Sequence, residues 1–236
     1  MNKNKTSNGI TDISLGNSAI IAGIGLLLMA IVAPIANFSI LGGLIVPDDV
    51  SETVSNISGS TGLFRLGIFI FLIVAVLDII VAWALYVFLK PVNRSLSLLT
   101  AWFRLVYAAV LVFVLIFLIN VLHLMSGAGY LNALDTNQLQ TLIMLSLNNF
   151  TLGWEFGLII FGFHLALLGY LMLKAGYMRK ILGILLIIAS LGYIIDGFGK
   201  LLSSNYQISL SIYTFVGEVV LIFWLLIAGR KKKAIE

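Results

Sequence analysis

Cysteine is absent from the 236 residues, which excludes disulfides, thiolate-ligated zinc, iron–sulfur clusters and thiol nucleophiles together. Charge is scarce as well: 10% of the residues are Asp, Glu, Lys or Arg, where an ordinary soluble domain carries about one quarter. Histidine occurs only twice, without an H-E-x-x-H spacing, so a metal site has little to draw on. No Walker A sequence, G-x-S-x-G elbow or G-x-G-x-x-G turn is present, which leaves ATP-driven work and serine-elbow hydrolysis without their motifs. What the chain has instead is apolar bulk. Hydrophobic residues make up 61%, more than a soluble fold of this size can enclose, and the lipid bilayer is the partner that composition demands. The net charge of +4 does not point to nucleic acid, because the bases gather at the ends of apolar segments, where membrane topology puts them.

Taken in order, residues 1–17 are polar and read as a disordered cytoplasmic tail. Residues 18–229 form one six-span membrane domain, and 230–236 a basic cytoplasmic tail. The first apolar run, Ser18 to Val46, exceeds the 7–15 residues of a signal-peptide core, so it is an uncleaved span, kinked at Pro34. Residues 47–62 hold Asp48, Asp49 and Glu52 and no base until Arg65, with Val50, Val54 and Ile57 spaced for a short surface helix. Spans follow from Leu63 to Leu89, Leu96 to Leu124, Phe150 to Leu173, Ile181 to Leu202 and Ser209 to Ala228. Between the third and fourth, residues 136–148 mix leucine with Asn and Gln as an interfacial helix would. Lys90, Arg94, Lys174, Arg179, Lys180 and the bases from Arg230 all fall on one side. The positive-inside rule then places both termini in the cytoplasm. The expectation is an all-α, six-helix integral membrane bundle with short interfacial helices outside.

Ionisable residues inside the spans carry whatever functional signal there is, since each costs about 2.5–3.5 kcal/mol at mid-bilayer. Asp78 and Arg104 lie at similar depth on consecutive spans. Asp78 shares a stripe with Ala75 and Ala82, and Arg104 with Ser97, Ala101 and Ala108. Small neighbours permit close approach, so the two form an intramembrane ion pair. Nearer the outer face, Arg65, Asn120, His123, Glu155, Asp196 and Glu218 are the candidates for a polar, outward-facing cavity. Glu155 and Glu218 would accept a proton or cation there, and Arg65 would contact an anion. Asp196 and Lys200, four apart, are placed to satisfy each other. His164 is expected to be a core histidine bonded to a neighbouring helix. A metal site from His123, Glu155 and Glu218 is chemically conceivable but not favoured; no catalytic residue, cofactor or metal is assigned.

At Leu63-Phe-Arg-Leu-Gly67, Leu89-Lys-Pro-Val-Asn-Arg94, Phe103-Arg104, Ser126-Gly-Ala-Gly-Tyr130 and Leu191-Gly-Tyr-Ile-Ile-Asp196 the chain resembles a bacterial multi-pass family catalogued as domain of unknown function 4386. The resemblance covers about residues 18–229 and implies a bacterial cytoplasmic membrane. It includes Arg65, Arg104 and Asp196 but brings no activity with it. From the residues, the leading expectation is binding or transport of a small solute or ion. A membrane-embedded enzyme acting on lipid and a non-catalytic scaffold or accessory subunit are the alternatives.

Overall fold

A computed structural model describes residues 13–203 and 205–233 of the chain, with side chains as far as Ile227. The expected tail of residues 1–17 lies outside these up to residue 12, and so do the side chains of the basic tail. All the described secondary structure is helical.

Helix α1 (Leu15–Leu44) starts before Ser18 because the Ser14 hydroxyl accepts the Asn17 amide at 3.2 Å and caps it. Pro34 has no amide hydrogen to offer the preceding turn, and the helix continues as a π segment over Ile35–Leu41. There the Gly42 amide reaches back to the Asn37 carbonyl. Helix α2 (Val50–Gly59) is the short helix read from residues 47–62. The Asp49 carboxylate caps it through the Glu52 amide at 2.8 Å, and Thr53 ties it to Val46.

Helices α3 (Thr61–Leu89) and α4 (Arg94–Leu124) form a hairpin. Pro91 prevents the first from continuing, and Asn93 caps the second by accepting the Leu96 amide at 2.9 Å. After a short 3-10 turn, α5 (Thr136–Lys174) runs unbroken for 39 residues. The separate interfacial helix expected over residues 136–148 is therefore corrected: these residues are the first turns of the same continuous helix. Asp135 and Gln138 start α5 with a capping box, and no glycine or proline precedes Gly153 to break it. At 1.5 Å per residue the helix is about 58 Å long, well beyond a hydrocarbon layer of about 30 Å, so its first turns project past the layer.

Helix α6 (Lys180–Leu202) follows. A single turn, Ser211–Thr214, then leads through Phe215 into α7 (Val216–Lys233). Among the described residues five helices are long and apolar enough to cross a membrane; the last apolar stretch, Ser211–Ile227, is shorter.

Helices α1 and α3 to α7 close a ring, with α1 against α3 and α7, α3 against α4, α4 against α5, α5 against α6, and α6 against α7 and the turn before it. Glycines set the closest approaches. A Cβ on Gly169 of α5 would meet the Gly183 carbonyl of α6 at 2.8 Å, and one on Gly183 would meet the Gly169 carbonyl at 2.7 Å. One end of the ring carries the basic turns at residues 90–94 and 174–180, and the other carries Asp48, Asp49, Glu52 and Asp135. At the basic end, burial pushes the Tyr177 hydroxyl up to about 12. It therefore keeps its proton near neutrality and donates to the Phe88 carbonyl at 3.0 Å, joining the two turns.

Candidate functional site

The centre of the ring is a chain of polar contacts. Asp78 and Arg104 are 2% and 3% exposed, and Arg104 Nη2 lies 2.6 Å from Asp78 Oδ1. The small residues that flank them, Ala75, Ala82, Ser97, Ala101 and Ala108, are all buried, and the Ser97 hydroxyl crosses the α3–α4 hairpin to the Tyr86 carbonyl at 2.9 Å. On its other side Arg104 Nη1 donates to Nε2 of the fully buried His164 at 3.2 Å. His164 Nδ1 in turn donates to the Thr100 carbonyl at 2.8 Å. An arginine can only donate, so this geometry fixes the proton of the imidazole on Nδ1. The guanidinium also lies 5.4 Å from the centre of the Phe161 ring. Three helices are thereby locked at one depth by two charges and one neutral ring, with Arg104 Nε left as a buried donor that has no partner among the described residues.

Beside this network, toward the acidic end, the ring encloses a cavity of about 470 Å³. Asp78, Arg104, Tyr107 and Trp154 line one wall, and Tyr193 and Glu218 another. The Trp154 indole donates to Tyr107 Oη at 3.1 Å, and Tyr193 Oη donates to Glu218 Oε1 at 2.9 Å. Glu218 Oε2 has no partner among the described residues. The rest of the wall is mainly apolar, so the polar cavity expected from the sequence is corrected to an apolar one with a few polar groups. Helix α1 creates the opening. Its basic-end half packs on α7 so tightly that a Cβ on Gly23 would meet Leu226 at 2.9 Å. Past Pro34 its Asn37 and Phe38 stand across the cavity from Ser211, Ile212 and Phe215. Phe38 is 70% and Ile212 60% exposed, and the rim between α1 and α7 is apolar.

Of the six residues expected around a cavity, only Glu218 lines this one. Arg65 is exposed in a small recess with Ser58, Thr61 and Ser126, at the end of α3 rather than in the ring. Asn120 and His123 are exposed on the last turns of α4. Glu155 is paired with Lys200 across the α5–α6 contact, so it is no unpartnered carboxylate, and its stripe faces α6. His123, Glu155 and Glu218 sit on three different helices, and the metal set considered for them does not assemble among the described residues.

The pairing of Lys200 with Glu155 frees Asp196 for another task. Asp196 accepts the Leu210 amide and the Tyr206 hydroxyl at 2.9 Å each on Oδ1, and the Ser211 amide at 2.7 Å on Oδ2. It therefore holds the start of the last helix, including rim residue Ser211. Hydrogen bonds to a charged group contribute about 1.5–3 kcal/mol each. Asp196→Ala is accordingly expected to raise hydrogen exchange at the Leu210 and Ser211 amides more than tenfold while α3 and α4 keep their protection. Unchanged exchange at both amides would remove Asp196 as the anchor.

Helices of membrane-spanning length around a buried charge network define a multi-pass integral membrane protein. The chain belongs to the family described as domain of unknown function 4386, whose model matches residues 21–229. An uncharacterised protein of Archaeoglobus fulgidus is 41% identical over 162 residues, 69% of this chain and 82% of that one, so the kinship extends to archaea and is wider than the bacterial label of the resemblance. No solved structure matches the chain.

Proposed function

We propose that this is a six-span protein of a cytoplasmic membrane that binds a small molecule in its central cavity and exchanges it with its surroundings through the gap between α1 and α7. Glu218 is the polar contact. The observation that carries this proposal is the cavity of about 470 Å³, within the 300–1,000 Å³ of ordinary small-molecule sites, with a half-satisfied carboxylate in its wall. An ionisable side chain retained in an apolar, membrane-embedded wall marks a functional position. The basic turns face the cytoplasm, as the one-sided distribution of Lys and Arg requires, and the rim of the cavity then lies toward the outer leaflet.

The absence of cysteine makes the test direct, since any introduced thiol is the only one. Val219→Cys, on the cavity wall, should react with a small methanethiosulfonate reagent, and Val114→Cys, buried between α4 and α5, should not. Equal, slow reaction at both positions would show that no reachable cavity exists. For orientation, a membrane-impermeant maleimide applied outside cells should label Asn205→Cys and spare Pro91→Cys. The opposite pattern would reverse the topology.

A further inference from the structure

We propose that the molecule taken into the cavity is an organic cation with an apolar body, arriving sideways from the hydrocarbon between α1 and α7; this presupposes that the cavity holds a ligand at all. Charge is the first ground. Asp78 and Arg104 face each other at 2.6 Å and cancel, and the remaining guanidinium nitrogens are taken up by His164 or buried away from any approach. Glu218 is the one acid or base among the described residues of the cavity wall with no opposite charge beside it; its only partner there is the Tyr193 hydroxyl. An anion brought there would meet a carboxylate and no free base. A neutral body would leave Glu218 Oε2 unmatched, and a cation supplies what is missing.

The second ground is the wall itself. Tyr107, Trp154, Phe161 and Tyr193 line the interior, and Phe38 and Phe215 stand at the rim. Aromatic faces attract cations electrostatically, most strongly where water is excluded, and are the usual surround of quaternary ammonium groups. Phe161 already shows this behaviour toward the Arg104 guanidinium, 5.4 Å from its centre. The route follows from the rim. Phe38 on one side of the gap and Ile212 and Phe215 on the other are exposed, which suits a molecule dissolved in lipid, and the tight α1–α7 contact at Gly23 shuts the basic-end side. Glu218 then acts as the counter-ion met inside.

The test uses the purified full-length chain in a non-ionic detergent and three probes of similar shape: tetraphenylphosphonium (cation), tetraphenylborate (anion) and triphenylphosphine oxide (neutral). Equilibrium dialysis against protein-free detergent measures binding. Saturable binding of the phosphonium is expected. Glu218→Gln should weaken it by about tenfold or more, as loss of a desolvated charge partner does, and Phe215→Leu, a change at the exposed rim that spares the fold, should weaken it less. Glu155→Gln should leave it unaltered. Binding of the borate or the oxide as tight as that of the phosphonium, or a silent Glu218→Gln, would overturn the cation assignment and leave the cavity as a binding site. Failure of all three probes while Val219→Cys still reacts would overturn it too. Failure of all three together with an unreactive Val219→Cys would take the ligand-binding proposal down as well.

Discussion

Asp78→Asn should be the most damaging single change in this protein, lowering stability by about 3–5 kcal/mol, the cost of leaving one partner of a buried pair alone. Arg104 would then sit 3% exposed among apolar helices with no acid beside it, and arginine has no means of shedding its charge. Arg104→Met should cost less, because an orphaned aspartate can become neutral by taking a proton, although His164 Nε2 also loses its donor. The double variant Asp78→Leu with Arg104→Met should recover most of the loss, since apolar replacement of a whole buried pair is often neutral. Thermal unfolding in detergent, followed by far-ultraviolet circular dichroism, measures all three. Single variants within about 1 kcal/mol of the parent, below what a broken buried pair costs, would mean that the pair does not hold the ring together.

Gly183→Val should cost nearly as much, for a steric reason. The Gly169 carbonyl of α5 stands 2.7 Å from where a Cβ would be, with the Leu173 side chain at the same distance. Backbone cannot step aside as a side chain does, so α5 and α6 must separate along a contact in which both helices rely on glycine. Overpacking of this kind costs about 1–3 kcal/mol, occasionally more, and small residues at helix contacts are what membrane association depends on. Gly176→Ala, in the turn between the same two helices with nothing within 4 Å of its Cβ position, is the matched control and should be neutral. A stable Gly183→Val protein with unaltered protease sensitivity in that turn would contradict the close approach.

The long-range features of the site were legible where depth and face could be counted together. Asp78 and Arg104 meet because both lie about the same number of residues from a shared turn and both sit on stripes of small side chains. His164 satisfies the same depth criterion: it is ten residues from Lys174, as Arg104 is ten from Arg94. The expected core histidine bonded to a neighbouring helix is what the structure has, but that its partners are Arg104 and the Thr100 carbonyl follows only from the α4–α5 contact. Local spacing misled in the opposite sense for Asp196 and Lys200. An i, i+4 pair contributes only a few tenths of a kcal/mol, and two better tertiary partners, the amides at the start of the last helix and Glu155, outweigh it. Likewise the polar side chains of residues 136–148 resemble a surface helix, but polarity does not break a helix, and the capping box at Asp135 commits the chain to one continuous α5. The cavity was not legible, because its polar groups, from Asn37 of α1 to Glu218 of α7, come from six different helices, and no spacing within one helix brings them together.

The π segment of α1 has one more effect. Between Ile35 and Leu41 the backbone accommodates a surplus residue relative to α-helical winding. Deleting a single residue there would remove the bulge and let the stretch rewind as an ordinary helix, while the segments on either side keep their facing, because the bulge already absorbs the surplus residue. The bulge residues themselves, Asn37 and Phe38 among them, would change their facing at the mouth while the anchorage of Gly23 on Leu226 stayed as it is. A length change too small to alter whether the segment spans the bilayer would thus reshape the mouth of the cavity alone and leave the ring as it is.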